Sequence, residues 1–408
     1  MGGGSYLVAI MGARGHYGVA RTLQHSGILD RFHTDSYAYP FMREAAERAS
    51  KLLSNPLLKK FAGRSARDLP TQKVVAHQMF GLVCGVKRAL IRNTQDKNRQ
   101  LIWSAKCFSS HVARYGLGDA DTLYAVNTES LELLRTAKQH GLKVVLEQMS
   151  APKSIEIQIL KNEARLFPWL ASKSELGWEP IAERESQEWS LADLILCPSD
   201  FVQAEIRKAN GPFLRTRLVP YGVQINKSLP FRRPPKHGPL KVLFAGRVGI
   251  QKGAHRLILA AKELADEDFQ FRLVGFVDLP DSVLKRLPPN LELFGPTPRS
   301  EMSNHYHWGD ALCLPSLCEG SATVTYEAMA FGMPVVCTSN AGSLVQDGID
   351  GFLIDDREPV QSIVQALRRL RTEGEQLKGV RVTSSKDRMY SFPAYEKRLL
   401  LTLAELAQ

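Results

Sequence analysis

Short apolar segments alternate with helical patterns along most of this chain. In the second half, apolar runs predict strands at 241–245, 271–275, 291–295, 311–315, 334–338 and 351–355, with helices at 254–264, 323–331 and 359–372. In the first half, strands are predicted at 6–11, 122–126, 143–147 and 194–199, with helical patterns over 129–140, 153–190 and the residues after Ser199. Strands that alternate with helices indicate parallel sheets covered by helices on both faces.

A proline-rich polar segment, KSLPFRRPPKHGPL at 227–240, separates the two halves and has no apolar period. Such a composition is typical of a linker, and 408 residues are enough for two or three domains. We therefore predict a first domain over 1–225, a second domain over 226–390, and a C-terminal helix over 391–408 that packs back on the first domain.

The segment 41–115 is harder to interpret. The polar run at 92–100 predicts a loop tip, and Pro56 should interrupt any long helix over 51–69. Residues 31–115 hold 16 Lys/Arg and 5 Asp/Glu, so this block accounts for the net charge of +11 of the whole chain. The block predicts an anionic partner such as a membrane surface or a phosphate-bearing acceptor, whereas a solubilising surface would also explain it. No nucleic-acid-binding module is visible, so nucleic acid is not expected.

Bulk composition is that of an ordinary globular protein, with 44% hydrophobic and 23% charged residues. The start of the chain lacks the pattern of a secretory signal, and the best apolar run, at 80–91, is interrupted by Lys87 and Arg88. Six cysteines without regular spacing fit reduced thiols. These features predict a cytoplasmic protein, peripheral at most on the inner face of the plasma membrane.

Ligands of parallel sheets bind at the carboxyl ends of the strands. The loop GRVGIQKG at 246–253 follows a predicted strand and carries Arg247 and Lys252, two cations that suit a diphosphate. The alternative is an ordinary loop with two solvated cations.

The loop after the strand at 311–315 carries a second candidate set. Glu319 precedes a predicted helix start, Glu327 lies within the first turns of that helix, and Ser321 to Thr323 would expose backbone N–H groups to a phosphate. The alternative is a capping arrangement, with Ser321 or Thr323 as N-cap and Glu327 paired with a nearby base.

The first loop, GARGHYG at 12–18, offers backbone donors together with Arg14 and His16, which could contact anionic groups. It lacks the G-x-G-x-x-G spacing of a dinucleotide site, and a plain glycine-rich turn is the alternative.

Two metal sites are considered and not predicted. Asp119 and Asp121 form a D-x-D pattern, but they precede a strand and so lie at the amino edge of the sheet. The set His305, His307, Cys313 and Cys318 contains no C-x-x-C pair, and Cys313 falls in a buried strand pattern.

Together these motifs resemble family 4 of the retaining glycosyltransferases. The segment 314–355, with its E-x7-E spacing, resembles the family's donor-binding core, and 240–264 resembles its phosphate loop. CPSDFV at 197–202 and VPYGV at 219–223 are similar to its domain-crossing region, and the opening MGARGHYGVARTLQHSGIL resembles one bacterial branch. The resemblance implies a GT-B architecture, in which two Rossmann-like domains face a central cleft and the C-terminal helix crosses back to the first domain.

The resemblance also implies roles for individual residues. Arg247 and Lys252 would neutralise the leaving diphosphate, Glu319 would bind sugar hydroxyls, and these three form the predicted catalytic set. Glu327 would hold the ribose. The implied donor-binding residues are Gly12, Gly15, Gly246, Gly275, Thr297, Gly320, Ser321, Ala322, Thr323, Val324, Thr325 and Glu327.

One position departs from the family pattern. The family often has a histidine after the strand that ends here near Glu147, whereas this chain reads LEQMSAP. Gln148 or Ser150 stands there instead, so these two residues join Arg14 and His16 as candidates for acceptor or sugar contacts.

The implied function is sugar transfer from a nucleotide-diphosphate sugar to a glycan or lipid-linked acceptor at the cytoplasmic membrane face, in polysaccharide or glycoconjugate synthesis. No cofactor and no metal is expected. The alternatives are a non-catalytic subunit that binds a sugar nucleotide or glycan, and a different enzyme on the same fold, such as an epimerase or a phosphorylase.

Overall fold

The structure is a computed structural model that describes residues 4–91, 94–170, 178–224, 230–235, 237–377 and 389–407. The predicted boundary at 225/226, part of the predicted linker and part of the predicted helix over 153–190 lie outside the described residues. The domain limits therefore stay a prediction.

The first half folds around a sheet of seven parallel strands in the order β3-β2-β1-β4-β5-β6-β7. The strands are β1 Tyr6–Ala9, β2 Leu29–Thr34, β3 Val74–Ala76, β4 Thr122–Val126, β5 Lys143–Glu147, β6 Leu194–Cys197 and β7 Thr216–Leu218. The helices are α1 Gly18–His25, α2 Pro40–Leu53, α3 Pro56–Ala62, α4 Gln78–Leu90, α5 Thr94–Tyr115, α6 Leu131–Gln139, α7 Lys153–Leu166, α8 Glu179–Leu191 and α9 Asp200–Lys208.

Helices cover both faces of this sheet because its strands are apolar on both sides. Tyr6 and Val8 of β1 pack into one buried cluster, and Leu7 and Ala9 pack into another. The strands predicted from the sequence are confirmed with shifts of one or two residues at their ends, while β2, β3 and β7 are not among the predicted strands.

Two local predictions are wrong and one is confirmed. The predicted loop tip at 92–100 is helical from Thr94 onward. The predicted helix over 153–190 is divided, because α7 ends at Leu166, two residues before Pro168, and a proline disfavours helical backbone in the residue before it. The interruption at Pro56 is confirmed: this proline begins α3, and the N-cap Asn55 accepts from the Leu57 N–H at 2.9 Å.

The second half folds around six parallel strands in the order β12-β10-β8-β13-β14-β15, beside a small pair formed by β9 and β11. The strands are β8 Leu240–Ala245, β9 Val248–Gly249, β10 Phe269–Val274, β11 Val277–Asp278, β12 Leu291–Gly295, β13 Ala311–Leu314, β14 Val335–Thr338 and β15 Gly351–Ile354. The helices are α10 Ala254–Glu263, α11 Asp281–Leu284, α12 Met302–Trp308, α13 Thr323–Ala330 and α14 Pro359–Glu373.

The two halves are joined by a buried ionic contact. Glu163 of α7 accepts from Arg256 of α10 through both carboxylate oxygens, each at 2.6 Å, and its Oε1 lies 2.5 Å from His255 Nε2. Leu170, just after α7, lies in the core of the second sheet. The end of α7 is therefore anchored to the second half, and removal of one partner from such a buried pair is costly.

The last helix, α15 Phe392–Ala407, returns to the first sheet. Its buried residues Tyr395, Leu399 and Leu403 share a core with β1 and β4, and Arg398 donates to the Pro220 carbonyl at 2.8 Å. The prediction of a C-terminal helix that packs on the first domain is confirmed.

Among the described residues, no helix is both long enough and apolar enough to cross a membrane. All six cysteines lie in the described ranges, and each is a free thiol.

Two leucines of α15 give a matched test of this packing. Leu399 is fully buried, whereas Leu401 on the same helix is 61% exposed. We expect Leu399→Ala to lower the free energy of unfolding by about 2–5 kcal/mol and Leu401→Ala to change it by less than about 0.5 kcal/mol. Chemical denaturation followed by circular dichroism measures both, and equal effects of the two variants would contradict the assigned packing.

Candidate functional site

Each sheet reverses its strand order once, between β1 and β4 in the first and between β8 and β13 in the second. The loops that leave two such strands diverge to opposite faces, and the crevice between them is where parallel sheets bind ligands. In the second sheet these loops are 246–253 and 315–322, the two segments that the sequence analysis selected.

Lys252 and Glu319 meet across this crevice. The Lys252 Nζ lies 2.7 Å from the Glu319 Oε1, and the two side chains are 21% and 16% exposed. The Lys252 stem runs past Gly246, where an added Cβ would lie 3.4 Å from the Lys252 Cε. A cation and a carboxylate are thus held together at a partly buried place, with the lysine stem in van der Waals reach of residue 246.

Arg247 does not share this contact. Its guanidinium pairs with Asp278 at 2.5 Å, and both side chains are about half exposed, at 57% and 50%. The structure therefore brings Lys252 to Glu319 and directs Arg247 to the β9–β11 pair, so the two predicted cations have separate partners.

Helix α13 begins at Thr323, and its N-cap Ala322 makes no side-chain capping bond. The Ser321 hydroxyl instead lies 2.6 Å from the Tyr326 hydroxyl, and the Thr325 hydroxyl donates to the Ala322 carbonyl at 2.7 Å. Within the described residues, the backbone N–H groups of Thr323 and Val324 have no partner. The capping alternative is therefore not what forms here, and two N–H groups remain at the positive end of a helix.

Glu327, one turn further along α13, accepts two hydrogen bonds. The Tyr306 hydroxyl donates to its Oε2 at 2.6 Å, and Arg299 donates to its Oε1 at 3.2 Å. Burial, and then the nearby Glu327 carboxylate, raise the pKa of Tyr306 well above its usual value. The pairing of Glu327 with a nearby base, an alternative left open by the sequence, is thus present.

Arg299 also reaches the first domain. Its Nη1 donates to the His16 Nε2 at 2.7 Å, across 283 positions of sequence. Because an arginine only donates, this contact requires a neutral His16 imidazole. Burial and the Arg299 charge lower the pKa of His16 below its ordinary value of 6.5, which favours the neutral form.

The loop that presents His16 is strained. The φ angles of Gly15, His16 and Tyr17 are 53°, 51° and 61°, respectively. Left-handed backbone suits glycine but costs about 1–3 kcal/mol at other residues and concentrates at functional sites. The strain at His16 and Tyr17 is consistent with a loop shaped for a ligand.

Other donors of this loop are engaged inside the first domain. The Gly12 N–H donates to the Asp35 Oδ1 at 2.7 Å, and Arg14 forms an ion pair with the buried Glu129. Burial raises the pKa of Glu129, and the Arg14 charge opposes that rise. Gly12 and Arg14 are therefore near the crevice of the first sheet, but their polar groups already have partners.

Gln148 and Ser150 are placed differently. Gln148 is fully buried: its amide donates to Glu185 at 2.8 Å and to the Ser150 carbonyl at 3.0 Å, and it accepts from Trp189 at 2.8 Å. A sugar contact by Gln148 would require the release of these partners. Ser150 is half-buried, so it is the more accessible of the two.

The remaining predicted residues are two glycines in close contact with backbone and a threonine with a side-chain contact. A Cβ on Gly320 would lie 1.8 Å from the Met149 carbonyl of the first domain, and one on Gly275 would lie 1.7 Å from the Gly246 carbonyl. The Thr297 hydroxyl lies 3.3 Å from the His305 Nε2. Gly320 therefore lies where the two domains touch, and Gly275 supports the loop that carries Lys252.

Several residues at these crevices were missed by the sequence analysis: Asp35, Glu129, Arg299 and Tyr306. Glu129 closely follows β4, so a search at the end of every strand would have found it. Arg299 and Tyr306 gave no local signal, since their partners are distant in sequence. Across the described ranges, no group of three or more His, Cys, Asp or Glu side chains could hold a metal ion.

Comparison with known proteins identifies the fold. HepE of Anabaena, in a crystal structure with UDP-glucose, superimposes with a TM-score of 0.59 and 15% identity over 99% of this chain and 100% of that one. Sucrose-phosphate synthase from Thermosynechococcus elongatus gives a TM-score of 0.64 and 16% identity, with 99% of each chain covered. The chain therefore has the GT-B fold, as predicted.

The sequence of the second domain matches a known family. Residues 239–373 match the family described as Glycosyl transferases group 1. The amylovoran biosynthesis glycosyltransferase AmsK of Erwinia amylovora is 27% identical over 199 residues, which are 45% of this chain and 48% of that protein. The second domain is thus similar in sequence to the group 1 glycosyltransferases. The match spans about half the length of such curated relatives.

The contact between Arg299 and His16 can be tested by titration. We expect His16 to titrate below pH 6.5 in the wild type, because burial and Arg299 both disfavour the imidazolium. In Arg299→Gln the pKa of His16 should rise but stay below its ordinary value, since burial is the larger cause. In the wild type, the hydrogen bond between Arg299 and His16 is therefore present above the lowered pKa of His16, and it is lost as the pH falls through that pKa.

Histidine ring resonances followed by NMR against pH measure this, and a His16→Gln variant assigns the signal. Arg369→Gln, which alters an exposed arginine of α14, serves as the control and should leave the His16 titration unchanged. A wild-type His16 pKa at or above 6.5 would contradict the contact.

Proposed function

We propose that this chain is a retaining glycosyltransferase that moves a sugar from a nucleotide-diphosphate sugar to a glycan or lipid-linked acceptor. The observation that carries the proposal is the Lys252–Glu319 pair, 2.7 Å apart, at the strand-order reversal of a group 1 glycosyltransferase domain. A ligand with both a diphosphate and a sugar would satisfy both members of this pair at once.

Binding of the donor is proposed as an exchange of partners. The diphosphate takes Lys252 from Glu319, and the freed carboxylate accepts hydrogen bonds from the sugar hydroxyls. The open N–H groups of Thr323 and Val324 bind the distal phosphate, and Arg247 leaves Asp278 to join them. Lys252, Arg247 and Glu319 thus each have a partner both with and without the donor. Asp278, whose side chain is 50% exposed, is left to solvent when Arg247 moves.

The nucleoside is proposed to lie beside Glu327, Gly275 and Thr297, with the ribose hydroxyls donating to Glu327. Arg299 and Tyr306 already hold that carboxylate, which fixes its orientation before the ligand arrives. UDP is the first nucleotide to try, because HepE, a structure of the same fold, binds UDP-glucose.

The reaction breaks the bond between the anomeric carbon and the phosphate oxygen through an oxocarbenium-like state. The acceptor oxygen forms the new bond on the same face, and its proton passes to the departing diphosphate, so the anomeric configuration is retained. Negative charge grows on the diphosphate, and Lys252, Arg247 and the α13 N–H groups supply the stabilisation. We assign Glu319 and Glu327 to binding and propose no carboxylate nucleophile and no metal.

The acceptor is proposed to enter from the first domain, where His16, Arg14 and Ser150 border the cleft. The basic block at 31–115 suits an acceptor that carries phosphates, such as a lipid-linked glycan at the cytoplasmic membrane face. AmsK, by its name, acts in amylovoran biosynthesis, and this likeness supports a role in polysaccharide or glycoconjugate synthesis.

Lys252→Ala tests the catalytic assignment. Because Lys252 would meet the charge that develops on the leaving diphosphate, we expect kcat to fall by about two orders of magnitude or more. Transfer is measured as released nucleoside diphosphate, with EDTA present throughout because no metal is proposed.

Lys262→Ala, which removes an exposed lysine of α10, is the matched control and should turn over normally. Near-normal kcat in Lys252→Ala would contradict the assignment.

Proton NMR of the wild-type product decides the stereochemistry, and a product of inverted anomeric configuration would refute retention. Tight nucleotide binding without any turnover would favour the alternative of a binding subunit.

A further inference from the structure

Helix α4 presents an apolar face to solvent. Met79, Leu82, Val83, Val86 and Leu90 are between 42% and 75% exposed. At 3.6 residues per turn their spacing places all five within an arc of about 100°. The opposite side of α4 faces the protein, with Phe80 buried and Cys84 half-buried. The helix is therefore amphipathic, yet its wider apolar stripe lies outside.

Other exposed apolar side chains are concentrated in the same stretch of the sequence. Of the 21 large hydrophobic residues that are exposed in the described part of the chain, ten lie between Phe41 and Leu90. They include Leu52, Leu53 and Leu57 at the junction of α2 and α3, exposed by 66% to 85%. Soluble monomers rarely expose such patches unless the surface binds a partner.

The charges around the stripe indicate which partner. Helix α4 contains no acidic residue, and by the same helical spacing Lys87 borders the stripe beside Val83. Residues 31–115 as a whole hold 16 Lys/Arg against 5 Asp/Glu. A second copy of this chain would bring these like charges together, which is unfavourable. An anionic bilayer offers both an apolar interior and a negative surface, so it complements both features.

We propose that α4 is a membrane-docking helix, which lies flat in the interface of an anionic bilayer with Met79, Leu82, Val83, Val86 and Leu90 among the acyl chains. Lys87, at the edge of this stripe, then lies at the level of the lipid headgroups. A helix of 13 residues rises about 20 Å, which is too short to span the hydrocarbon core but sufficient to lie along it.

The position of α4 connects the bilayer to the cleft. Gly81 packs so closely on Asp35 that an added Cβ would lie 2.5 Å from the Asp35 carbonyl oxygen. The Asp35 carboxylate in turn accepts from the Gly12 N–H at 2.7 Å, which belongs to the loop facing the donor site. A docked α4 would therefore hold the cleft next to the membrane surface. Delivery of a lipid-linked acceptor by this route rests on the proposed function, whereas docking itself does not.

Co-sedimentation with vesicles tests the proposal on the full chain. Vesicles of phosphatidylcholine with about 30 mol% phosphatidylglycerol supply the anionic surface, and pure phosphatidylcholine vesicles are the comparison. The variant is Leu82→Gln, Val86→Gln and Leu90→Gln combined, which alters only exposed side chains. The control is Leu401→Gln, since Leu401 of α15 is also 61% exposed.

We expect the wild type to bind the anionic vesicles, and the triple variant to bind at least about tenfold more weakly because three apolar side chains no longer enter the bilayer. The Leu401→Gln control should bind within about twofold of the wild type. Part of the wild-type binding should persist at about 0.5 M NaCl, where exposed charges are largely screened.

Three results would overturn the proposal. The first is a wild type that does not bind the anionic vesicles, or whose binding is completely lost in high salt. The second is a triple variant that binds the vesicles as strongly as the wild type. The third is a wild-type dimer in sedimentation velocity that the triple variant abolishes without any vesicle binding, since the stripe would then be a contact between copies. Nucleotide binding by the triple variant, measured in the same preparation, confirms that it is folded and keeps this test separate from the donor site.

Discussion

The reversal of strand order between β8 and β13 is the constraint on which the proposed donor site depends. The loops that follow the two strands on either side of a reversal run to opposite faces of the sheet. A gap therefore remains between these loops, and neither loop fills it alone. In this chain the gap is bridged by Lys252 and Glu319, which come from the two loops. The ion pair thus occupies the place that the topology leaves open, and the start of α13 adds backbone donors beside it.

The second constraint is the contact between the two domains. The buried pair of Glu163 and Arg256 anchors α7 to the second half, and Gly320 fits against Met149 only because it has no side chain. Arg299 joins Glu327 of the second domain to His16 of the first. A group proposed to bind the nucleoside is therefore connected, through one arginine, to the strained loop of the first domain.

The second sheet could be predicted almost completely from the sequence, because its central strands are continuous apolar runs that alternate with helices. Strands β2, β3 and β7 could not, since β2 contains Asp30 and Arg31, and β3 and β7 have only three residues each. The start of α5 cannot be recognised from the sequence, because residues 94–100 are polar and the apolar residues of this helix begin further along.

The candidate site shows the same division. The positions of Lys252, Glu319 and Glu327 relative to their strands and helix followed from the sequence, because each lies within a few residues of an element end. The hydrogen-bond and ion-pair partners of these residues could not be predicted from the sequence unless the two partners lie close together in it. Gln148 turns inward because Glu185 and Trp189, on a helix about 40 residues away, satisfy its amide. Such long-range hydrogen bonds depend on how the helices pack, which no local pattern encodes.

Titration calorimetry of UDP, GDP, ADP and CMP against the wild type, Lys252→Ala and Lys262→Ala tests the central claim most directly. The account predicts that one nucleoside diphosphate binds the wild type and the Lys262→Ala control equally, and binds Lys252→Ala at least about tenfold more weakly because a charged contact is lost. Equal binding of that diphosphate to all three proteins would contradict a diphosphate site at the reversal of the second sheet. Binding of none would contradict it as well.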